Sequence, residues 1–537
     1  MIDAASSRSD DYEVIVIGAG ITGIDALRRL HEAGFSVRAL EAGGGVGGTW
    51  FWNRYPAAAL DSESYTYGYF FSPELQKEWR WSAHFAGQPE IERYLNHVVD
   101  KYELRRHIDF NSFVERLEFD AASNSWTVGI RGGTTIRAHY VITAAGILSV
   151  PFYPQIEGRA DFTGEQYHTG EWPSHQIDFV GKRVAIIGSG SSGVQMIPAI
   201  AGTVESLTVY QRTANWVLPL NNAELTPEEF DEISATFDEL SKRLKSTFYG
   251  FMHSYLDVKA LDVSREERLV QYEKIWNSRG HCALAGNYPD TFTDPAANLE
   301  FSNFLADKIR AIVDDPVTAE ALIPKDHGFA MKRPPLGTNY FETFNKSNVT
   351  LVNLRETPLV RLTPKGIETT VDHREHDMIV WATGFDAVTG ALTRIDIVGE
   401  DGTILRDAWG DGPLTYLGMA STGFPNLFFA GGPHGTQGNI PRSTEMHVEF
   451  LTSLLIHARA ERIERVEAGE EAVQRWTDHV YEGNSGILMA ESNWALGSNI
   501  PGKPRRPMMY RAGLPHYRAN LTRIVSEGYE GFRLTPA

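Results

Sequence analysis

Cysteine is almost absent: Cys282 is the single one in 537 residues. One cysteine cannot form an internal disulfide, so neither a disulfide framework nor a redox-active pair within the chain is possible. That excludes the disulfide reductases, a large class of enzymes built on two nucleotides. Positive charge is also in short supply. Lys and Arg number 50 against 69 Asp and Glu, a formal net charge of -19. A surface that acidic argues against nucleic acid and anionic membrane as general partners, but leaves room for a local basic pocket. No run approaches the roughly 20 apolar residues that span a bilayer. The segment Met1 to Asp11 is polar and has no apolar core, so no signal peptide is expected and a cytoplasmic location is the simple reading. Low-complexity blocks and solenoid repeats are missing as well. No metal is expected. Oligomeric state is not readable.

Glycine is present where it matters. Gly18-Ala19-Gly20-Ile21-Thr22-Gly23 directly follows the apolar run Val14–Ile17. Gly188-Ser189-Gly190-Ser191-Ser192-Gly193 directly follows Val184–Ile187. A lone GxGxxG is weak evidence. Here each copy follows a buried strand and opens a helix, which is the context that gives the motif meaning. The first glycine permits the tight turn, the second admits a pyrophosphate, and the third lets helix and strand pack. The helix N-terminus then presents free N–H groups to the anion. Two such loops imply two nucleotides on one chain and an electron path between them.

The two sites differ where specificity is set. The strand Phe35–Leu40 ends at Glu41, an acid that accepts hydrogen bonds from a free ribose diol. The strand Leu207–Tyr210 ends near Arg212, with the Thr213 hydroxyl beside it. A base there favours a 2′-phosphate, hence NADPH over NADH. The alternative is that Arg212 is only a solvated charge.

The expected fold class is α/β, with two Rossmann-like dinucleotide-binding domains and a helical insertion. Residues 1–150 are the first part of one nucleotide domain, and 151–221 the first part of the other. Residues 222–330 turn helical and charged; Thr226-Pro227-Glu228-Glu229 reads as a helix start. Residues 331–387 return to the second nucleotide domain and 388–537 to the first. Ser443 is expected to cap a helix whose stripe is Met446, Phe450, Leu451, Leu454 and Leu455. Asn499 to Arg506, rich in Pro, Gly and Arg, is expected to be a loop.

Three further segments carry candidate chemistry. Gly47-Gly48-Thr49-Trp50-Phe51-Trp52 combines small residues, on which a flat ring can lie, with aromatic walls; a buried aromatic loop is the plainer reading. By spacing alone Asp61 reads as a turn residue. Lys332-Arg333-Pro334-Pro335 is either a surface turn or a pair of cations facing a phosphate and a reacting oxygen.

Phe162-x-Gly164-x-x-x-His168-x-x-x-Trp172-Pro173 resembles the signature of type I Baeyer–Villiger monooxygenases, within the class B flavoprotein monooxygenases. Gly47 to Asp61 resembles that family's second signature. Ala382-Thr383-Gly384-Phe385-Asp386 resembles its strand-end motif, and Asn493 to Lys503 its mobile control loop. The likeness covers nearly the whole chain. It implies FAD at the first site and NADPH at the second. It also implies a small ketone and O2 as substrates, an ester or lactone as product, and a C4a-peroxyflavin between them. Residue by residue, it implies that Gly48, Thr49, Trp50, Tyr67 and Val114 touch FAD. Lys332 would hold the 2′-phosphate and Trp494 would reach the nicotinamide cofactor. Arg333 would be the active-site arginine, Asp61 its carboxylate partner, and His168 a conformational residue between domains. Gly432 to Ile440 would line the substrate pocket. The position after Tyr55-Pro56, usually Gly or Met in the family, is Ala57, which is expected to change backbone flexibility without abolishing flavin binding. The nearest rival is an N- or S-oxygenating monooxygenase of the same architecture.

Overall fold

Two sheets, each bearing one glycine loop, organise the chain in the computed structural model. It describes residues 11–536. Residues 1–10, within the polar segment where no signal peptide is expected, and residue 537 lie outside the described residues.

Val14–Ile17 is apolar on both faces and therefore takes an inner position. Its strand, Asp11–Ile17, pairs in parallel with Val37–Leu40 on one side and Thr135–Thr143 on the other. An antiparallel meander, Val114–Asp120 and Ser125–Ile130, continues the sheet from Thr135–Thr143. The chain returns late to this sheet. Asp396–Val398 pairs with Val114–Asp120, and Leu427–Phe429 with Thr135–Thr143. The helix Ile21–Glu32 buries Ala26, Leu27 and Leu30 on the sheet and stops before Gly34, whose φ is +76°.

The second sheet has five strands, all parallel. Their order is Val349–Asn353, Ser206–Gln211, Arg183–Ile187, Met378–Trp381 and Glu165–His168. The central strands are apolar runs, as a sheet covered on both faces requires.

The helical insertion leaves and re-enters at one point. Leu218–Pro219 pairs in parallel with Leu336–Gly337, so Lys332 and Arg333 are delivered beside the second sheet. Thr226 makes the expected capping box with Glu229, and Ser264 makes another with Glu267.

Ser443 differs from expectation. The helix starts earlier, at Ile440, with Asn439 at its cap position and Ser443 buried inside it. The reason is tertiary. The Asn439 N–H donates to the Tyr249 carbonyl at 2.8 Å and its side-chain amide to the Thr66 carbonyl at 3.1 Å, which fixes the chain before Ser443 is reached. The expected stripe of Met446, Phe450, Leu451, Leu454 and Leu455 is buried. One strand is also shorter than expected: Val37–Leu40 omits Phe35 and Ser36.

Two straps join the sheets. They run antiparallel, with the Phe152 N–H donating to the Gly384 carbonyl at 2.9 Å and the Asp386 N–H to the Val150 carbonyl at 2.8 Å. His168 sits under this crossing, fully buried. Its Nδ1 accepts from the Gly170 N–H at 2.9 Å, and its Nε2 lies 3.3 Å from the Thr383 hydroxyl. Burial pulls its pKa down to about 4, so the ring is neutral near pH 7.

Candidate functional site

The first glycine loop is a cradle that side chains would fill. Gly18 has φ +105°, and a Cβ there would fall 2.6 Å from the Ala144 carbonyl oxygen. A Cβ on Gly23 would fall 1.9 Å from the Gly18 oxygen. Gly48, at φ +54°, closes on the loop from outside, where a Cβ would meet the Gly20 Cα at 2.9 Å. Glu41 lies at the strand end. Its carboxylate accepts from the Ala19 and Gly43 N–H groups, each at 2.7 Å. Burial pushes its pKa up, against the pull of those two N–H groups.

These residues open onto one cavity of about 930 Å³, lined by Gly18, Gly20, Glu41, Gly48, Thr49 and Trp50. Tyr67 and Val114 line it too. The Trp50 indole N–H donates to the Tyr67 hydroxyl at 3.0 Å, and the rings meet edge to face. Small backbone on one side and locked aromatics on the other make a slot suited to a flat ring system. The residues present fit FAD. The volume lies at the upper end of ordinary ligand pockets, on the order of 300–1,000 Å³.

The second loop repeats the construction. Gly188 has φ +112°, and a Cβ there would fall 2.3 Å from the Ala382 oxygen; on Gly193 it would fall 2.5 Å from the Gly188 oxygen. Gly190 faces open space, so a pyrophosphate can approach its backbone. Ser191 and Ser192 start the helix Ser191–Ile200, and the Ser189 hydroxyl donates to the Thr213 carbonyl at 3.1 Å. Arg212 is exposed at the strand end. Lys332 stands close by: burial lowers its pKa and the Arg212 and Arg355 charges lower it further, while Asp326 opposes them. Arg355 donates to the Arg212 carbonyl at 3.1 Å and to Asp326 at 2.5 Å. Arg212, Lys332 and Arg355 thus gather where a 2′-phosphate would lie, and the residues fit NADPH. Sequence reasoning missed Arg355. Its signal was available, because it follows Val349–Asn353, the parallel neighbour of the Arg212 strand.

The two loops are tied together. The Tyr55 hydroxyl donates to Gln195 at 2.8 Å, and the Gln195 amide donates to the Ala59 carbonyl at 3.1 Å. The second nucleotide helix therefore rests on the Gly47–Asp61 segment that walls the first slot. Ala57, in this segment, has φ +62°. A non-glycine residue pays roughly 1–2 kcal/mol in that region, against a glycine entropy cost of roughly 0.5–1 kcal/mol. Ala57→Gly is expected to gain up to about 1 kcal/mol and to keep its flavin. A raised thermal midpoint with unchanged flavin absorbance checks this.

Arg333 lines the cavity, and Asp61 stands behind it. The guanidinium donates to the Asp61 carboxylate at 2.5 Å. His281, which sequence reasoning missed, completes the cluster. Its Nε2 lies 3.3 Å from the other Asp61 oxygen and 3.4 Å from Arg333. The ring is buried and stacked on Phe251 at 4.6 Å. Burial raises the Asp61 pKa, but Arg333 and His281 outweigh it and hold the carboxyl well below its usual range. Asp61 therefore stays ionised and fixes Arg333. The consecutive residues Lys332 and Arg333 stand in two places, one beside Arg212 and Arg355 and one on the cavity wall.

Trp494 also lines the cavity, on the loop Asn493 to Lys503. The Asn493 amide donates to the Met331 carbonyl at 2.8 Å, beside Lys332 and Arg333. Lys503 donates to Asp386 at 2.6 Å, and the Asn499 amide to the Phe385 carbonyl at 3.0 Å. The loop is docked on the second strap.

A family model described as pyridine nucleotide-disulphide oxidoreductase matches residues 15–249, which hold both glycine loops. A 2-oxo-Δ3-4,5,5-trimethylcyclopentenylacetyl-CoA monooxygenase of Pseudomonas putida is 39% identical, over 98% of this chain and 99% of that one. An acetone monooxygenase (methyl acetate-forming) of Gordonia sp. strain TY-5 is also 39% identical, over 97% and 99%. The crystal structure of OTEMO in complex with FAD and NADP superposes with a TM-score of 0.94 at 38% identity, covering 98% of this chain and all of that one. The chain belongs to the type I Baeyer–Villiger monooxygenases. Its activity is the NADPH-dependent flavin monooxygenation of ketones to esters or lactones, with FAD and NADPH as cofactors. One relative of similar rank, a phenazine N-monooxygenase of Lysobacter antibioticus, shows that the scaffold also hosts nitrogen oxidation.

The family assignment agrees with the lone cysteine. The disulphide-oxidoreductase model matches the two-nucleotide scaffold, whereas Cys282 is buried and free, its thiol pKa raised by burial. Among the described residues, no helix is long and apolar enough to cross a membrane.

Proposed function

We propose that Arg333 is the residue that commits this monooxygenase to ketones, with Asp61 and His281 holding it in place. The observation that carries this reading is a guanidinium lining the cavity with an ionised, half-buried carboxylate behind it. Bound FAD, reduced by NADPH and met by O2, supplies the nucleophilic oxygen. The Arg333 guanidinium is a planar cation that offers several donors. It stabilises negative charge on the attacking oxygen and then on the carbonyl oxygen of the adduct. Asp61 takes one face of the guanidinium and aims the rest into the cavity, as outer partners do for reacting groups. Trp494 and its docked loop exclude water from that space. His168, neutral and buried between the straps, positions the crossing and stays away from the chemistry.

Oxygenation at nitrogen or sulfur uses an electrophilic oxygen and needs no anion stabiliser beside it. A matched ketone and sulfide, read by product, test the assignment. Ester or lactone as the main product supports it; sulfoxide alone overturns it. NADPH loss is not a substitute, because uncoupled peroxide formation also consumes NADPH.

Arg212 and Lys332, with Thr213 beside them, read the 2′-phosphate. Arg212→Ala is expected to raise KM for NADPH by about 10- to 100-fold, the range for a lost charge-assisted contact, with little change for NADH. Steady-state kinetics with both cofactors check this. Equal effects on both would remove Arg212 from that role. The acidic surface fits a cytoplasmic enzyme that works on small molecules and O2.

A further inference from the structure

Besides Arg333, the cavity is lined by Arg131, Arg394 and Arg511, which the oxygenation chemistry does not use; Arg131 is paired with Glu115 and Arg394 is exposed, which leaves Arg511. Arg511 lines it together with Arg333. The backbone holds Arg511 from both sides. The Tyr510 N–H donates to the Gly435 carbonyl at 3.0 Å, and the Leu514 N–H to the Phe248 carbonyl at 2.9 Å. The Gln437–Gly438 turn is pressed onto the same segment, since a Cβ on Gly438 would fall 2.3 Å from the Tyr249 oxygen. Arg511 therefore stands where the tail, this turn and the insertion's Phe248–Tyr249 converge.

Its surroundings are aromatic: Phe248, Tyr249, Phe251, Tyr255 and Phe292 wall the same cavity. Burial pulls the Arg511 pKa below its ordinary value, and the groups that oppose it are the Tyr249 and Tyr255 phenols. Burial raises the Tyr255 pKa in turn, and its hydroxyl donates to the Tyr249 hydroxyl at 3.3 Å. Among the described residues no carboxylate pairs with Arg511. Arg333, on the same cavity wall, has Asp61, and the buried Arg442 has Glu445 at 3.2 Å. A desolvated charge without a counterion is costly, so such a group at a binding cavity calls for an anion from outside the chain.

We propose that Arg511 is a specificity-determining residue that pairs with a carboxylate on the substrate, so that the preferred ketones are oxo acids. The proposal rests on the ketone-oxidising reading of the same cavity. Arg333 takes the carbonyl end, and Arg511 takes the acid end with its planar fork. The aromatic wall holds the hydrocarbon between them.

The test uses the FAD-loaded full chain. Its substrates are cycloalkanone acids whose carboxylate arm is one to four methylenes long, together with their methyl esters. Lactone is measured. For the best arm, kcat/KM for the acid should exceed that for its methyl ester by about 10- to 100-fold, the range for a charge-assisted pair. Arg511→Leu should collapse that ratio towards one, mainly through KM for the acid, and Arg511→Lys should restore part of it. Arg511→Gln, similar in length and uncharged, gives the same readout should the leucine variant lose its flavin. A ratio near one in the wild type for every arm, or a ratio unmoved by Arg511→Leu and Arg511→Gln, overturns the proposal. Lactone from the methyl esters separates the two readings. Its absence in the wild type sinks the ketone assignment, whereas its presence with an unmoved ratio sinks the acid anchor alone.

Discussion

Arg333→Ala is expected to oxidise NADPH and yet make about 10²- to 10³-fold less ester or lactone, the usual cost of losing one oxyanion-type donor. The two half-reactions use different parts of the molecule. Hydride transfer calls on the nucleotides that the two glycine loops fit, and neither those loops nor the Tyr55–Gln195–Ala59 contacts that tie them involve Arg333. Attack on the carbonyl needs a fixed cation at the cavity wall. Removing Arg333 takes that cation away and leaves the Asp61 carboxylate behind it without its closest partner. The negative oxygen would then develop near a carboxylate left with only His281 beside it, so the loss should be at least as large as for a neutral donor. Stopped-flow reduction of the flavin by NADPH, set beside product yield, separates the steps. Substantial lactone from the variant would show that Arg333 does not carry the step. Arg333→Lys keeps the charge but loses the fork, and it should fall between the two.

Gly23→Ala is expected to yield protein without flavin. A Cβ there would fall 1.9 Å from the Gly18 carbonyl oxygen, and that atom is backbone with no flexible end to move aside. The helix Ile21–Glu32 would have to lift off its strand, carrying its N-terminal N–H groups out of reach of a pyrophosphate. Absorbance of the purified protein reads the outcome directly. A yellow variant with full flavin content would mean that the loop tolerates the shift and that the third glycine is not needed for packing here. Gly34→Ala is a useful contrast. Its φ is +76°, but a Cβ there meets nothing within 4 Å, so strain is the only penalty and flavin should stay.

Local chemistry made much of this molecule legible. Gly18, Gly23, Gly188 and Gly193 announce their role because backbone sterics leave no other residue for those places. The places of Glu41 and Arg212 could be read because a strand fixes where the side chain at its end lies. Thr226 could be read because a capping box is complete within four residues. The rest depends on contacts between distant segments. Asp61 meets Arg333 across 272 positions, and spacing alone made it a turn residue; the family resemblance, not the residue pattern, pointed to the pair. His281 comes from the helical insertion, where no periodicity marks a ring aimed at a carboxylate. Ser443 misled for the same reason, since the helix start is set by Asn439 reaching Tyr249 and Thr66. Arg511 reads as an ordinary base in a basic, proline-rich tail until its cavity is seen.

The straps also have a mechanical consequence. Lys503 and Asn499 fasten the Trp494 loop to Asp386 and Phe385, on the very segment that joins the two sheets. Loop and strap are thus one mechanical part. Any turn of the second sheet against the first would load the same contacts that hold Trp494 on the cavity wall, so the wall of the cavity and the joint between the sheets cannot be altered independently.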